Sequence, residues 1–225
     1  MMTQENRIAA IFDVDGTLLV GDSMERIFVR FLFRRGELGW REALRFLAGG
    51  LGAMARGRSP IASNKAYLRG KNATRIRRMA RECFETEIAP RLSPAAVERL
   101  RWHQSAGHFV MLLSGSLDIL LEPLAERLGI GARLGAELER DGARFTGRII
   151  GAHPRGDAKA ECLRVMAAAV PLNLKRSFAY ADDYTDRFLL RMAGNPVAVN
   201  GDSLLRRYAR ERGWMLEDFR RRPTA

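Results

Sequence analysis

The sequence predicts an α/β protein: a doubly wound, mostly parallel sheet with an inserted all-helical segment and a small β-hairpin. Three observations carry that expectation. After Pro90, short apolar runs alternate with helix-patterned segments, and a return to a parallel strand needs such a crossover helix. Between Leu19 and Pro90 no strand pattern occurs. Two alternating runs flank Asp141-Gly142, a dipeptide suited to the positive φ of a tight hairpin turn.

Ile8–Phe12 is short, continuously apolar and closed by the polar turn Asp13–Thr17, so it reads as a buried strand. Ser23–Arg35 places Ile27, Phe28, Phe31 and Leu32 at helical spacing, and Trp40–Arg56 and Arg75–Glu87 are also helix-like. Helix Pro94–Ala106 leads to strand Phe109–Leu113 and then helix Leu117–Leu128. The hairpin runs are Leu134–Glu139 and Arg144–Ile150. Helix Asp157–Ala169, strand Ser177–Ala181, helix Thr185–Met192, strand Pro196–Asn200 and basic helix Ser203–Arg212 follow. The expected division is a core from residues 1–19 and 93–225, with 20–92 as a helical cap.

Composition excludes several classes. The chain has 225 residues, of which 47% are hydrophobic and 28% charged, which excludes a disordered or collagen-like polymer. Two cysteines, Cys83 and Cys162, exclude a disulfide framework or a Cys-rich zinc module. No uncharged stretch approaches the ~20 residues that span a bilayer, and Ile8–Phe12 is too brief for a secretory signal. A cytoplasmic location is expected, and a peripheral contact with a membrane surface is left open.

The net charge is +12, and 34 of the 38 basic residues are arginine. Such a surface attracts anions. The arginines are spread along the whole chain without interleaved aromatics, the pattern of solvated helix faces rather than of a specific nucleic-acid site.

Ligands of doubly wound sheets sit beyond the carboxyl ends of the strands, and three polar clusters fall there. Asp13-Val14-Asp15-Gly16-Thr17 follows the first strand: a turn at Gly16 can bring both acids into one pocket, or simply close the strand. Leu113-Ser114-Gly115-Ser116 follows the second: hydroxyl and peptide N–H groups there make an anion seat, or Ser caps the next helix. Ala181-Asp182-Asp183-Tyr184-Thr185-Asp186 follows a later strand: its acids suit a hard cation, or the first turn of the next helix.

Taken in order with Lys159, these clusters resemble the haloacid dehalogenase-like (HAD) superfamily, in its phosphoserine-phosphatase-like branch, along nearly the whole chain. The resemblance implies a Rossmann-like core, a helical cap and a Mg²⁺-dependent phosphomonoester phosphatase. By position, Asp13 is then the nucleophile and Asp15 the acid and base. Mg²⁺ is held by the carboxylates of Asp13 and Asp182 and the Asp15 carbonyl. Ser114, the Gly115 amide and Lys159 bind the transferring oxygens, Asp186 orients Lys159 or a metal-bound water, and Asp22 is the candidate reader of a substrate amino group. Lys65 and Arg69 are the weaker candidates for reading a carboxylate.

The implied substrate is a small anionic phosphorylated metabolite, phosphoserine-like first, with histidinol phosphate or a lipid phosphate behind it. A non-catalytic, basic nucleic-acid-binding module is the alternative of another class. Phosphoserine phosphatases usually carry Gly-Asp-Gly-x-Asn-Asp in the last motif, whereas here Asp183 and Thr185 replace a Gly and the Asn. The apolar segment 38–56 resembles the cap of lipid-phosphate phosphatases. Gly50–Ala55 imitates a dinucleotide fingerprint but follows no strand. His103, His108 and His153 lack metal-ligand spacing and are expected to be structural.

Overall fold

The computed structural model describes residues 7–40 and 65–220. Seven strands form one sheet in the order β4-β3-β2-β1-β5-β6-β7. They are β1 (Ala9–Phe12), β2 (Phe109–Leu117), β3 (Ala132–Asp141), β4 (Arg144–Ile150), β5 (Phe178–Ala181), β6 (Asn195–Val199) and β7 (Met215–Glu217). All neighbours run parallel except the hairpin pair β3 and β4.

The central strands read as continuous apolar runs because both faces of the sheet are covered. Ala10 and Phe12 of β1, Val110 and Leu112 of β2, Tyr180 of β5 and Val197 and Val199 of β6 enter one core. Ala9 and Ile11, Met111 and Leu113, Ala179 and Ala181, and Ala198 enter the other. Successive side chains point to opposite faces, so a one-residue slip would exchange the two cores.

The first face is covered by α1 (Met24–Arg34), α2 (Ala73–Cys83), α3 (Pro94–Ser105) and α4 (Asp118–Leu128). The second is covered by α5 (Asp157–Ala169), α6 (Arg187–Met192) and α7 (Ser203–Glu211). A π-helical turn, Phe84–Ile88, extends α2. Helix Trp40–Arg56, the fingerprint-like Gly50–Ala55 and most of the apolar segment 38–56 fall outside the described residues.

The helical segment does not stand apart from the hairpin. Gly70 N donates to Phe145 O (2.8 Å), Phe145 N to Lys71 O (3.0 Å) and Ala73 N to Ala143 O (2.8 Å). Sequence periodicity missed this short ladder because residues 70–73 contain no alternating run. Many arginines are paired on the surface: Arg34 with Glu87, Arg77 with Glu122, Arg99 with Glu217 and Arg133 with Asp118. Among the described residues, no helix is long and apolar enough to cross a membrane.

Candidate active site

Beyond the carboxyl ends of β1, β2 and β5 lies a cavity of about 350 Å³. Its wall includes Asp13, Asp15, Ser114, Gly115, Lys159, Asp182 and Asp186, so the structure brings together residues that span 174 positions of chain between Asp13 and Asp186.

Asp13 continues β1 by one residue, its N–H donating to Tyr180 O at 2.9 Å. The chain then turns sharply: Thr17 N and Leu19 N both donate to Val14 O, and Gly16 N donates to Leu19 O. Gly16 sits at φ +81°, and a Cβ there would lie 1.9 Å from Asp182 Oδ2. Only glycine satisfies both the left-handed backbone and that close approach. Asn200, at the end of β6, donates from Nδ2 to Gly16 O (2.8 Å) and accepts Phe219 N on Oδ1 (2.8 Å).

Lys159 enters from the first turn of α5, buried, with Nζ 2.7 Å from Asp13 Oδ1 and 2.5 Å from Asp186 Oδ2. Burial acts to lower its pKa, but the carboxylates of Asp13 and Asp186 outweigh it and hold the ammonium above its usual value. Asp13 is raised by burial, against the pull of Lys159. Burial, with the repulsion of Asp13 next, pushes Asp182 up to about 8. Asp186 rises to about 6, again chiefly through burial. Six acids, Asp13, Asp15, Glu25, Asp182, Asp183 and Asp186, line the cavity with one lysine, Lys159, and the guanidiniums of Arg26 and Arg155.

Asp15 is held at both oxygens. Met24 N, the first N–H of α1, donates to Oδ1 at 2.8 Å, and the Ser116 hydroxyl donates to Oδ2 at 2.6 Å. Burial raises the Asp15 pKa, and these two donors oppose the rise.

At the second cluster the structure corrects the expected element boundary. Strand β2 runs on to Leu117 and α4 begins at Asp118, so Ser114 is not a helix cap. Its Oγ instead accepts Ser116 N at 3.1 Å. Pairing of β2 with β1 ends at Leu112, and pairing with β3 passes from Leu113 to Leu117 with a register shift. The peptides between, outside both ladders, line the cavity. His153 Nε2 donates to Gly115 O at 2.8 Å, which makes this histidine a support of the loop. His103 and His108 are structural as expected, joined through their Nδ1 atoms at 2.7 Å, with His103 Nε2 2.7 Å from Tyr180 Oη.

Asp22 is a correction. Gly21 and Ser23 line the cavity, but Asp22 does not. It turns outward to Arg30 (2.5 Å) and Arg26 (3.6 Å). Partial burial works against its charge, yet these guanidiniums hold its carboxyl below the usual range. The acid on that wall is Glu25, which is buried, paired with Lys65 and bonded by the Tyr67 hydroxyl at 2.8 Å. Sequence reasoning passed over it, although a Glu in the stripe of Phe28, Val29 and Leu32 was a usable signal. Of the weaker candidates, Lys65 is spent on Glu25, and Arg69 does not line the cavity.

In the third cluster, Asp183 Oδ1 accepts both the N–H and the hydroxyl of Thr185, each at 2.7 Å. The two departures from the phosphoserine-phosphatase pattern thus satisfy one another. Both residues line the cavity.

The donor set fits Mg²⁺. Asp182 is a half-buried acid with Asp13 as its repelling neighbour, and a hard cation relieves such a pair. Among the described residues no three acidic, His or Cys side chains form a cage. Mg²⁺ does not need one, since it commonly takes one or two carboxylates and fills its octahedron with water and phosphate.

A haloacid dehalogenase-like hydrolase profile matches residues 10–191. Phosphoserine phosphatase SerB1 of Mycobacterium tuberculosis is 35% identical, over 94% of this chain and 71% of that protein. A histidinol-phosphatase of Neisseria meningitidis serogroup C is 28% identical, over 94% of this chain and 98% of its own. A protein of unknown function from Bordetella pertussis Tohama I superposes with a TM-score of 0.85 at 28% identity, covering 95% of this chain and 99% of that one. With motif residues from the ends of three strands converging on one cavity, the chain belongs to the haloacid dehalogenase-like hydrolases, in their phosphoserine-phosphatase-like branch.

Proposed function

We propose that this HAD-type phosphatase hydrolyses a small phosphorylated metabolite, phosphoserine-like first, through an aspartyl-phosphate (acyl phosphate) on Asp13. The observation that supports this best is the contact of Lys159 Nζ with Asp13 Oδ1 at 2.7 Å. A buried carboxylate is thereby oriented, and a cation is stationed where the charge of a transferring phosphoryl group develops.

In the first step a carboxylate oxygen of Asp13 attacks phosphorus and the bond to the ester oxygen breaks. Asp15 gives its proton to the leaving oxygen, which departs as the alcohol. In the second step Asp15 takes a proton from water as that water attacks phosphorus. The bond to Asp13 breaks, and inorganic phosphate is released. Ser114, the Gly115 amide and Lys159 bind the phosphoryl oxygens, and Asp186 keeps Lys159 extended. The carboxylates of Asp13 and Asp182 and the Asp15 carbonyl would hold Mg²⁺, which when bound would supply Lewis-acid screening between carboxylate and phosphate. Residues 20–92 act as the cap that excludes water.

Arg26 and Arg155 also line the cavity. The nearby acids Glu25 and Asp22 are already paired with Lys65 and with Arg26 and Arg30. Arg155, with Arg26 shared with Asp22, is then the cationic group on that lining for a substrate carrying an anionic group besides its phosphate. The likeness to the Neisseria histidinol-phosphatase is the reason to keep histidinol phosphate as a second reading.

The test is phosphate release from an aryl phosphate and from a panel holding phosphoserine, histidinol phosphate and lysophosphatidate. Release that requires Mg²⁺ and disappears in Asp13→Asn is expected. Activity that survives Asp13→Asn overturns the reading, and salt-dependent binding to random nucleic acid without phosphate release favours the non-catalytic alternative.

A further inference from the structure

We infer that Ser116 is a positioning residue that designates Oδ2 of Asp15 as the oxygen carrying the transferable proton. This inference rests on the acid role proposed for Asp15 and gives the Ser116 hydroxyl, already seen to hold Asp15, a part in the proton transfer.

The two oxygens of Asp15 have unequal partners. Oδ1 accepts the N–H of Met24 at 2.8 Å. A peptide N–H can only donate, so a proton on Oδ1 would meet another hydrogen, and that oxygen is reserved as an acceptor. Oδ2 is 2.6 Å from the hydroxyl of Ser116. A hydroxyl can donate or accept by rotating about one bond. It donates to Oδ2 while Asp15 is a carboxylate, and it accepts or turns away once Oδ2 carries a proton. The cycle needs both states of Asp15, and the Ser116 hydroxyl accommodates both.

Ser116 also spans the two halves of the site. Its N–H donates to Ser114 Oγ at 3.1 Å and so leaves the Ser114 hydroxyl hydrogen available for an anion. Its hydroxyl reaches across to Asp15, 101 positions away. Ser116 is buried and lines the same cavity. Replacing Ser116 by Ala keeps the N–H and deletes only the hydroxyl, so the two roles can be separated.

Leaving groups provide a readout that a purely structural role would not move. An alkyl phosphate expels a strongly basic alkoxide and depends on general acid help, whereas p-nitrophenyl phosphate expels a stable anion and depends on it little. The parameter is kcat/KM, which covers the steps up to formation of the Asp13 acyl phosphate and excludes its later hydrolysis.

Ser116→Ala is expected to lower kcat/KM for phosphoserine or glycerol phosphate by about tenfold or more. On p-nitrophenyl phosphate the expected change is less than about threefold, and Ser116→Thr should restore most of the alkyl activity. Equal losses on the two substrate types, or no loss at all, overturn the inference. Asp15→Asn is run in parallel. If it too lacks leaving-group dependence, the acid role of Asp15 fails. If Asp15→Asn shows that dependence and Ser116→Ala does not, only the role of Ser116 fails.

Discussion

Gly16 couples two clusters that lie far apart in the chain. Its peptide passes so close to Asp182 that the space of one methyl group separates a working site from a blocked one. Gly16→Ala is expected to cost about 1–2 kcal/mol through the left-handed backbone alone, read by urea denaturation. The same change displaces Asp182 and should reduce Mg²⁺-dependent phosphate release more than tenfold. Glu25 makes a different case. Its carboxylate and the ammonium of Lys65 are both buried, so Glu25→Gln removes one member of a desolvated ion pair. A loss of about 3–5 kcal/mol is expected, and a loss under 1 kcal/mol would show that water reaches the pair. Gly16 looks in local sequence like an ordinary turn glycine, and Glu25 shows there only as an acid in an apolar stripe, without its partner Lys65.

Among the elements, strands and helices were readable because their burial is periodic. Strand β1 was legible as an unbroken apolar run since its alternate residues enter two different cores. The end of β2 was not legible, because Ser114-Gly115-Ser116 has the composition of a cap yet keeps an extended backbone. Tertiary pairing decided it. Helix α3 offers a test at this scale. The Ser93 hydroxyl accepts Ala96 N at 3.1 Å as its N-cap and donates to Phe219 O at 2.5 Å. It therefore fastens the last described turn of chain to the helix. Ser93→Ala should lower stability by about 1–3 kcal/mol while phosphate release at saturating substrate stays within about twofold.

For the whole molecule, burial displaces the titration of several core groups, His103 among them. His103 packs between Phe12 and Trp102 with its ring nitrogens committed to His108 and Tyr180. Burial, with the charges of His108 and Arg99 next, pushes it down to about 3 from an ordinary 6.5. Below pH 6.5 the unfolded chain takes up a proton on this imidazole and the folded chain does not until about pH 3. Native stability should therefore fall across that window. His103→Gln is expected to flatten this part of the profile, measured as urea midpoints between pH 7 and 4. An unchanged slope would mean that other groups dominate.

By itself the sequence determined the alternation of strands and helices, the hairpin, and the three clusters that meet with Lys159 in the cavity. Those features depend on local chemistry: apolar period, turn residues, and acids or hydroxyls where strands stop. Only the tertiary structure decided which side chains face one another. It turned Asp22 outward to its arginines, set Glu25 in the wall, let Asp183 satisfy Thr185, and placed Ser116 against Asp15. Contacts across a hundred residues leave no local trace, because they are fixed by sheet register and by helices docking on its two faces.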